Sequence, residues 1–275
     1  MQRVSFNETG REETEGHSSK GNQPKWLSAG KWYKADHMGY EGLAEVLISK
    51  LLRKSNVPEY VEYEPVLIEF DGKRVPGCCS DNFKTQDEIL IPIERLHRAY
   101  CGRGLAQQIA RMELPNKISY TVDFVEKTTD LKNFGAYLTI ILELDSLFLN
   151  EDRHTNNIAV IRNEKTQQFR LCPVYDNGLS LLSDWNDYPI DQDIYQSISR
   201  VQAKPFDRNF DEQAEAAEQL YHPQLKLHFT RKDLAGILAE LRDYYSAEIL
   251  DHVERIVLEQ MRKYPPFFRR DCRDG

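Results

Sequence analysis

The sequence has no apolar run long enough to cross a membrane, and its N-terminal stretch, MQRVSFNETGREETEGHSSKG, contains no apolar core of signal-peptide length. Basic residues are not in excess either, since the formal net charge is −8. Proteins that neutralise nucleic-acid phosphates usually show a basic patch or a high isoelectric point. We therefore expect a cytoplasmic protein with no membrane insertion and no direct nucleic-acid contact, and delivery as an effector is compatible with this.

Cysteine and histidine patterns typical of metal or redox sites are also missing. The five cysteines include no Cys-x-x-Cys pair, and an odd number in a long chain is typical of reduced thiols in a cytosol. Hydrophobic residues make up 40% and charged residues 29%, a balance that argues against disordered and fibrous classes. At 275 residues, the chain is long enough to bury a substantial core as one or two domains.

The first part of the chain predicts two hairpins and one helix. KWLSAGKWYKAD alternates apolar and polar residues around a turn at Ser28-Ala29-Gly30, and YEPVLIEFDGKRVPGCCSDNF does so around Asp71-Gly72. Between them, GYEGLAEVLISKLLRKS has its leucine and valine residues spaced for one helical face. This order predicts a small, sheet-rich lobe.

From Lys84 onward the pattern predicts mainly helices, over residues 91–112, over 134–149 and as a pair within 230–264 that begins with a cap at Thr230. NNIAVI and FRLCPVYDNG read as short strands. The sequence thus predicts an α+β chain in which a sheet-rich N-lobe precedes a larger helical C-lobe. The predicted divisions are a flexible N-terminus over 1–15, an N-lobe over 16–83 and a C-lobe over 84–275.

The loop LNEDRHTNNIAVI carries more polar groups than a simple connection needs. Asp152 precedes Asn157 by five residues, and Asp176 follows on a second loop after a short hairpin that returns the chain to the same end. In phosphoryl transfer one carboxylate accepts the proton of the attacking hydroxyl, while an Asn and a second Asp hold metal ions. Alone, the Asp152 and Asn157 pair is more typical of a solvated turn.

The first lobe offers residues that could bind phosphates. Lys34 lies on the second strand and Glu45 in the helix eleven residues on, and a strand Lys steadied by a helix Glu contacts nucleotide phosphates in kinases. Lys25 and Lys31 compete with Lys34, with Lys25 as the reserve candidate. GHSSKGNQPKW is rich in Gly, Ser and Lys and could turn backbone amides toward an anion, although it lacks both the Walker and the Gly-x-Gly-x-x-Gly patterns.

With NEDRHTNN and PVYDNG in this order after the strand Lys and helix Glu, the sequence resembles the HipA-like serine/threonine kinase family in its compact, CtkA-like form. The resemblance spans roughly residues 16–183. It implies a bilobal protein-kinase-like fold related to that of phosphatidylinositol kinases, with ATP and Mg²⁺ as cofactors and ATP between the lobes.

The resemblance also implies roles for individual residues. Asp152 would be the catalytic base, and His154 would orient it or meet the transferring phosphate. Asn157 and Asp176 would hold Mg²⁺. The remaining nucleotide-binding set comprises Lys34 with its partner Glu45, the phosphate-loop residues Ser18, Ser19 and Gly21, and the hinge residues Ser80, Asp81, Asn82 and Phe83, whose backbone would hold adenine. Ser18 or Ser19 would be autophosphorylated.

Asp145, on the helix before the loop, and Arg153, within the loop, are expected to shape the loop. Asp145 lies on an otherwise apolar helix, where an unpaired carboxylate is costly, so we expect it to make a buried hydrogen bond to the loop. Arg153 is expected to hold the loop through ion pairs with Glu151 or Asp152. These are structural interpretations.

Three functions follow from these residues. The first is an ATP-dependent Ser/Thr protein kinase that acts on a protein hydroxyl and on itself. The second is a lipid or small-molecule kinase of the phosphatidylinositol-kinase-related type. The third is a nucleotide-binding interaction module or toxin-antitoxin component, with an antitoxin or other regulatory protein as its partner. The sequence departs from eukaryotic kinases in having DNG for DFG and no Ala-Pro-Glu motif after it.

Overall fold

A computed structural model describes residues 2–6 and 23–268 of the chain. These residues form two compact units, each assembled from more than one segment. Unit 1 takes the described parts of residues 1–81, 176–201 and 225–275, and unit 2 takes residues 82–175 and 202–224. The division at 83/84 between an N-lobe and a C-lobe stays a prediction.

Unit 1 contains a five-stranded sheet with the order β1-β4-β5-β3-β2. Its strands are β1 (Arg3–Ser5), β2 (Lys25–Ser28), β3 (Lys31–Ala35), β4 (Glu64–Phe70) and β5 (Lys73–Asp81). The β2–β3 and β4–β5 pairs are antiparallel hairpins, as the sequence predicts. Their turns place Ala29 and Gly30, and Asp71 and Gly72, at positive φ, which favours tight two-residue connections.

Strand β1 pairs in parallel with β4. The sequence predicts a flexible segment over residues 1–15, whereas Arg3–Ser5 are held in the sheet. The physical reason lies in the next residue, because Phe6 stacks on the buried Trp26 ring with centroids 4.9 Å apart and also contacts Tyr33. Burial of aromatic surface offsets the loss of chain freedom at this end.

The helices of unit 1 are α1 (Glu41–Leu52), α6 (Ile194–Arg200), α8 (Arg231–Glu240) and α9 (Ala247–Lys263), followed by a 3-10 helix at Pro265–Phe268. Helix α1 is buried along almost its whole length and packs on β3, β4 and β5. The predicted cap of α8 is present, since Thr230 Oγ1 accepts from the Asp233 amide and the Asp233 carboxylate accepts from the Thr230 amide. These caps satisfy donors that the helix itself leaves open.

Unit 2 combines a helical core with a small sheet. Its helices are α2 (Ile93–Cys101), α3 (Leu105–Ile109), α4 (Leu114–Thr129), α5 (Phe134–Phe148) and α7 (Phe210–Tyr221), and its strands β6 (Glu88–Pro92), β7 (Ala159–Asn163) and β8 (Phe169–Leu171) pair in the order β6-β7-β8. In α5 every residue except Ala136 is buried, and α4 and α7 pack against it. A helix with apolar residues on nearly every face lies inside a core.

The helical stretch predicted over residues 91–112 is wrong in its start and its continuity, because it begins in a strand and contains two helices, α2 and α3. Glu88–Pro92 form β6 because they pair with β7, and Gly102, at φ +74°, ends α2 before α3 begins. The chain nevertheless has the predicted α+β class. Among the residues that the structure describes, no helix has the length and apolarity of a membrane span.

Candidate active site

Lys34 lies between two carboxylates in unit 1. Its Nζ atom is 2.6 Å from Oε1 of Glu45 on α1 and 2.9 Å from Oδ1 of Asp176. Strand β3 and helix α1 bring the first two residues together, because α1 follows β3 directly and packs back on the sheet. The structure therefore contains the pairing of Lys34 with Glu45 that the sequence predicts, and adds Asp176 to it.

The electrostatics of this cluster keep Lys34 protonated. Burial opposes the charge of the ammonium, but Asp176 and Glu45 outweigh burial and raise the pKa of Lys34 well above its ordinary value. Burial also raises the pKa of Glu45, which is 1% exposed, while Lys34 opposes this shift. A fixed cation on a strand can bind an anionic group such as a phosphate.

Glu45 also fixes the chain beside Asp176. Its second oxygen, Oε2, accepts a hydrogen bond of 2.9 Å from the amide of Asn177. Asp176 itself has a positive φ of 59°, a conformation that Asp adopts more readily than most residues. Its side chain is 36% exposed, so a cation in solvent can reach this carboxylate.

The loop after α5 in unit 2 is shaped by Arg153. Nε of Arg153 lies 3.0 Å from Oδ2 of Asp145, and Nη1 donates to the carbonyl of Tyr175 at 2.8 Å and to that of Asn157 at 3.3 Å. The structure thus shows that Arg153 holds the loop through an ion pair, as expected, and that Asp145 on α5 is a partner in it. The expected buried hydrogen bond from Asp145 to the loop is present.

The Asp145 carboxylate lies in a place that disfavours its charge. Burial raises the pKa of Asp145 to about 6, and the hydrogen bonds and charge of Arg153 only partly offset burial. A paired buried charge of this kind positions a loop more than it stabilises a fold. Arg153 is therefore a structural residue that is turned away from solvent.

Asp152 is almost fully buried in the same loop, with its side chain 7% exposed. Its amide donates to Oδ1 of Asn150 at 3.0 Å, and its carbonyl accepts from Nδ2 of Asn157 at 2.9 Å. The Asn157 bond uses the side-chain NH₂ group, which leaves Oδ1 as the atom that could bind a cation. The loop backbone thus holds the predicted base and the predicted metal ligand close together.

His154 lies beside Asp152 without a hydrogen bond to it. Its Nε2 atom is 3.7 Å from Oδ2 of Asp152, which is beyond hydrogen-bond length. Both ring nitrogens are buried and have no hydrogen-bond partner among the described residues. The His154 ring is therefore placed where it could hydrogen-bond either to Asp152 or to a bound group.

The predicted hinge residues fall at the end of β5 and just beyond it. Ser80 and Asp81 pair with Trp32 and Lys31 of β3, and the Asp81 carboxylate lies 2.6 Å from Nζ of Lys31. This ion pair engages Lys31 away from Glu45, which favours Lys34 over Lys31 as the phosphate-binding lysine.

Two residues of that segment, Asn82 and Phe83, belong to unit 2. The Phe83 carbonyl accepts a hydrogen bond of 3.1 Å from Nη2 of Arg170. Asn82 accepts through Oδ1 from the Lys84 amide at 3.3 Å. The predicted phosphate-loop residues Ser18, Ser19 and Gly21 lie outside the described residues.

Sequence reasoning missed one residue at this site. Nζ of Lys204 lies 3.2 Å from Oδ1 of Asp152, and both residues belong to unit 2. Lys204 stands in an irregular segment before α7, so periodicity and motif spacing give no signal for it. A lysine near the candidate base in space could be found only from tertiary structure.

Comparisons with known proteins show which fold the chain has. No protein-family model and no curated protein matches the sequence. The crystal structure of CtkA, a proinflammatory kinase of Helicobacter pylori, matches with a TM-score of 0.61 over 96% of each chain, at 14% identity. The fold is that of a HipA/CtkA-like kinase.

HipA of Shewanella oneidensis, solved in a complex of the toxin-antitoxin proteins HipA and HipB with operator DNA, matches at a TM-score of 0.49 and 12% identity. That match covers 91% of this chain and 66% of the other. The resemblance and the fold class predicted from the sequence are confirmed by the CtkA match.

The chemistry of the candidate residues fits a magnesium nucleotide. Asp176 and Asn157 offer a carboxylate and an amide oxygen, the hard ligands that Mg²⁺ prefers. Lys34 offers a cation held between carboxylates for the phosphates. The described residues thus include a cation that could bind phosphate, oxygen atoms that could bind a metal and a buried carboxylate that could accept a proton.

Proposed function

We propose that this protein is an ATP-dependent phosphotransferase and, more specifically, a Ser/Thr protein kinase. The observation that carries the proposal is the position of Lys34, within 2.9 Å of both Glu45 and Asp176. In kinases a strand lysine contacts the nucleotide phosphates, a helix glutamate steadies it and a nearby aspartate binds metal. The kinase-like fold supports this reading of the three residues.

Each residue has one task in the proposed reaction. Lys34 binds and orients the phosphates of ATP, and Glu45 holds its ammonium in place. Asp176 and Asn157 bind Mg²⁺, which when bound supplies positive charge that offsets the charge of the phosphates. Asp152 accepts the proton of a serine or threonine hydroxyl as that oxygen attacks phosphorus.

Most of the rate enhancement comes from positioning and electrostatics. The acceptor oxygen and the phosphoryl group must be held in line, and a fixed base and fixed cations need no reorganisation during the reaction. The ion pair by which Arg153 ties the Asp152 loop to α5 through Asp145 supports this role. Ser18 and Ser19 are proposed sites of autophosphorylation.

The test offers γ-labelled ATP with Mg²⁺ to a proteome and, separately, to a lipid extract, and compares wild type with Asp152→Asn. Asp87→Asn is the matched control, because Asp87 is partly exposed in the same unit and pairs with Lys165. We expect label on serine or threonine of proteins, with Asp87→Asn labelling like wild type and Asp152→Asn labelling far more slowly.

The other outcomes are equally informative. Label confined to lipid or small molecules would replace the protein acceptor with the second candidate class. No labelling by a folded wild type in either extract would count against phosphotransfer and favour a nucleotide-binding interaction module. Mass spectrometry of the labelled protein itself locates any phosphate on Ser18 or Ser19.

A further inference from the structure

A lysine from a distant segment contacts the candidate base in unit 2. Nζ of Lys204 lies 3.2 Å from Oδ1 of Asp152, and the lysine side chain is 36% exposed while that of Asp152 is 7% exposed. The carboxylate is therefore enclosed, while the lysine side chain beside it is partly exposed. An ammonium has three N–H donors and can bind a carboxylate and a second anion at once.

The backbone that carries Lys204 is anchored on two helices. The Lys204 carbonyl accepts a hydrogen bond of 3.1 Å from Nε2 of Gln213, a fully buried residue of α7. Two residues on, the carbonyl of the buried Phe206 accepts from Nζ of Lys117 on α4 at 2.7 Å. A side chain on an anchored backbone is positioned more accurately than one on a free loop.

Arg153, the arginine of the loop, cannot supply the accessible positive charge beside Asp152. Arg153 adjoins Asp152 in sequence, but it is 1% exposed and its guanidinium is engaged by Asp145 and the Tyr175 carbonyl. The stretch LNEDRHTNNIAVI contains no lysine. Lys204 therefore brings to Asp152 a partly exposed permanent positive charge, which neither Arg153 nor a lysine of the loop provides.

We propose that Lys204 is a further catalytic residue, whose ammonium binds the phosphoryl group in transfer while Asp152 accepts the proton of the acceptor hydroxyl. This inference rests on the proposed kinase function. A hydroxyl that gives its proton to Asp152 lies about 3 Å from the carboxylate. Lys204, bonded to the same carboxylate, then lies on the order of 6 Å from the attacking oxygen, and the transferring phosphorus lies next to that oxygen.

The chemical step balances without a redox partner. The acceptor oxygen forms a bond to phosphorus as the bond from phosphorus to the ADP oxygen breaks, and the hydroxyl proton moves to Asp152. Lys204 keeps its proton and supplies charge to the equatorial oxygens, where negative charge is spread in the transition state. Asp152 later returns its proton to solvent.

The test uses the full chain as wild type, Lys204→Met and Lys204→Arg, with Lys165→Met as a control of equal charge change on the turn between β7 and β8. Two quantities are measured with Mg²⁺ present: the dissociation constants for ATP and ADP, and the rate of single-turnover phosphotransfer. Since only ATP carries the γ-phosphoryl group, we expect Lys204→Met to weaken ATP binding about tenfold while ADP binding stays unchanged.

We also expect slower transfer by Lys204→Met, partial recovery in Lys204→Arg and wild-type values in Lys165→Met. An unchanged ratio of ATP to ADP affinity together with an unchanged transfer rate overturns the inference. Faster transfer by Lys204→Met also overturns it, because the ion pair would then restrain Asp152. Thermal unfolding checks each variant, and Lys204→Gln replaces Lys204→Met if the methionine variant does not fold.

The two proposals fail differently. A folded wild type that neither binds ATP nor transfers phosphate overturns the kinase function and this inference with it. An active wild type whose Lys204 variants match it in affinity and rate overturns the role of Lys204 alone.

Discussion

Arg153 and Asp145 form a two-point ion pair in the core of unit 2, with Nε 3.0 Å from Oδ2 and Nη2 3.1 Å from Oδ1, and each side chain is 1% exposed. Because Arg153 also bonds the carbonyls of Asn157 and Tyr175, this pair connects α5 to the loop that carries the candidate base. The precision of the proposed site depends on this contact.

Replacing Arg153 by Met should reduce the free energy of unfolding by about 3 to 5 kcal/mol, because Asp145 would keep a buried charge without its partner. Chemical denaturation monitored by circular dichroism measures this. The exposed Arg111→Met is the matched control, expected to change stability by less than about 0.5 kcal/mol. Equal stability of the two variants would contradict the structural role of Arg153.

The Asp145 carboxyl should make the stability of wild type depend on pH. Its pKa of about 6 in the folded protein lies above its ordinary value of 3.8, so between these values the folded state binds a proton that the unfolded state has lost. The contribution of this group to stability is therefore fully present below about pH 4 and is lost as pH rises through 6.

The expected loss is about 3 kcal/mol, since one pKa unit corresponds to about 1.4 kcal/mol. Unfolding free energies of wild type and Asp145→Asn at several pH values isolate it as a difference, because other carboxyls titrate in both proteins. A difference that stays constant from pH 4 to 7 would contradict the raised pKa.

Helical and strand periodicity predict the elements that hold Lys34 and Glu45, and their contact follows because α1 packs on the strand before it. Helix α4 was not predicted from the sequence, although its buried residues Ile118, Thr121, Val122 and Val125 repeat at helical spacing. These side chains are β-branched and by themselves favour strands. Packing of this segment against α5 and α7 stabilises it as a helix.

Lys204 is the residue of the site that the sequence did not predict. It stands 52 residues after Asp152, and its position depends on Gln213 and on the anchoring of the neighbouring Phe206 by Lys117. No local pattern encodes a contact that three separate segments produce together. Asp145 was easier to interpret, because a carboxyl on an apolar helix needs a partner wherever that partner comes from.

Lys34→Met should abolish most nucleotide binding and lower phosphotransfer by about 10² or more, because the cation for the phosphates is lost. Glu45→Gln should do less damage, since the ammonium keeps Asp176 as a partner. Calorimetric ATP titration and a labelled-ATP assay measure the two effects. The control Lys31→Met removes a lysine of the same strand and should bind ATP like wild type; equal losses in both variants would contradict the assignment of Lys34.

Chelation of divalent metal should stop phosphotransfer, and Mg²⁺ should restore it. Asp176→Asn and Asn157→Ala should each raise the Mg²⁺ concentration for half-maximal activity by about tenfold or more, because each removes a proposed oxygen ligand. A Mg²⁺ titration of the transfer rate measures this. The account would be wrong about these ligands if both variants followed the wild-type titration curve.

The most direct test of the kinase function is the rate of phosphoryl transfer from γ-labelled ATP by Asp152→Asn under single-turnover conditions. The account predicts a rate lower than that of wild type by a factor of about 10² to 10⁴, the usual contribution of a general base, with ATP affinity and thermal unfolding preserved. A folded Asp152→Asn that binds ATP and transfers phosphate at the wild-type rate would contradict it.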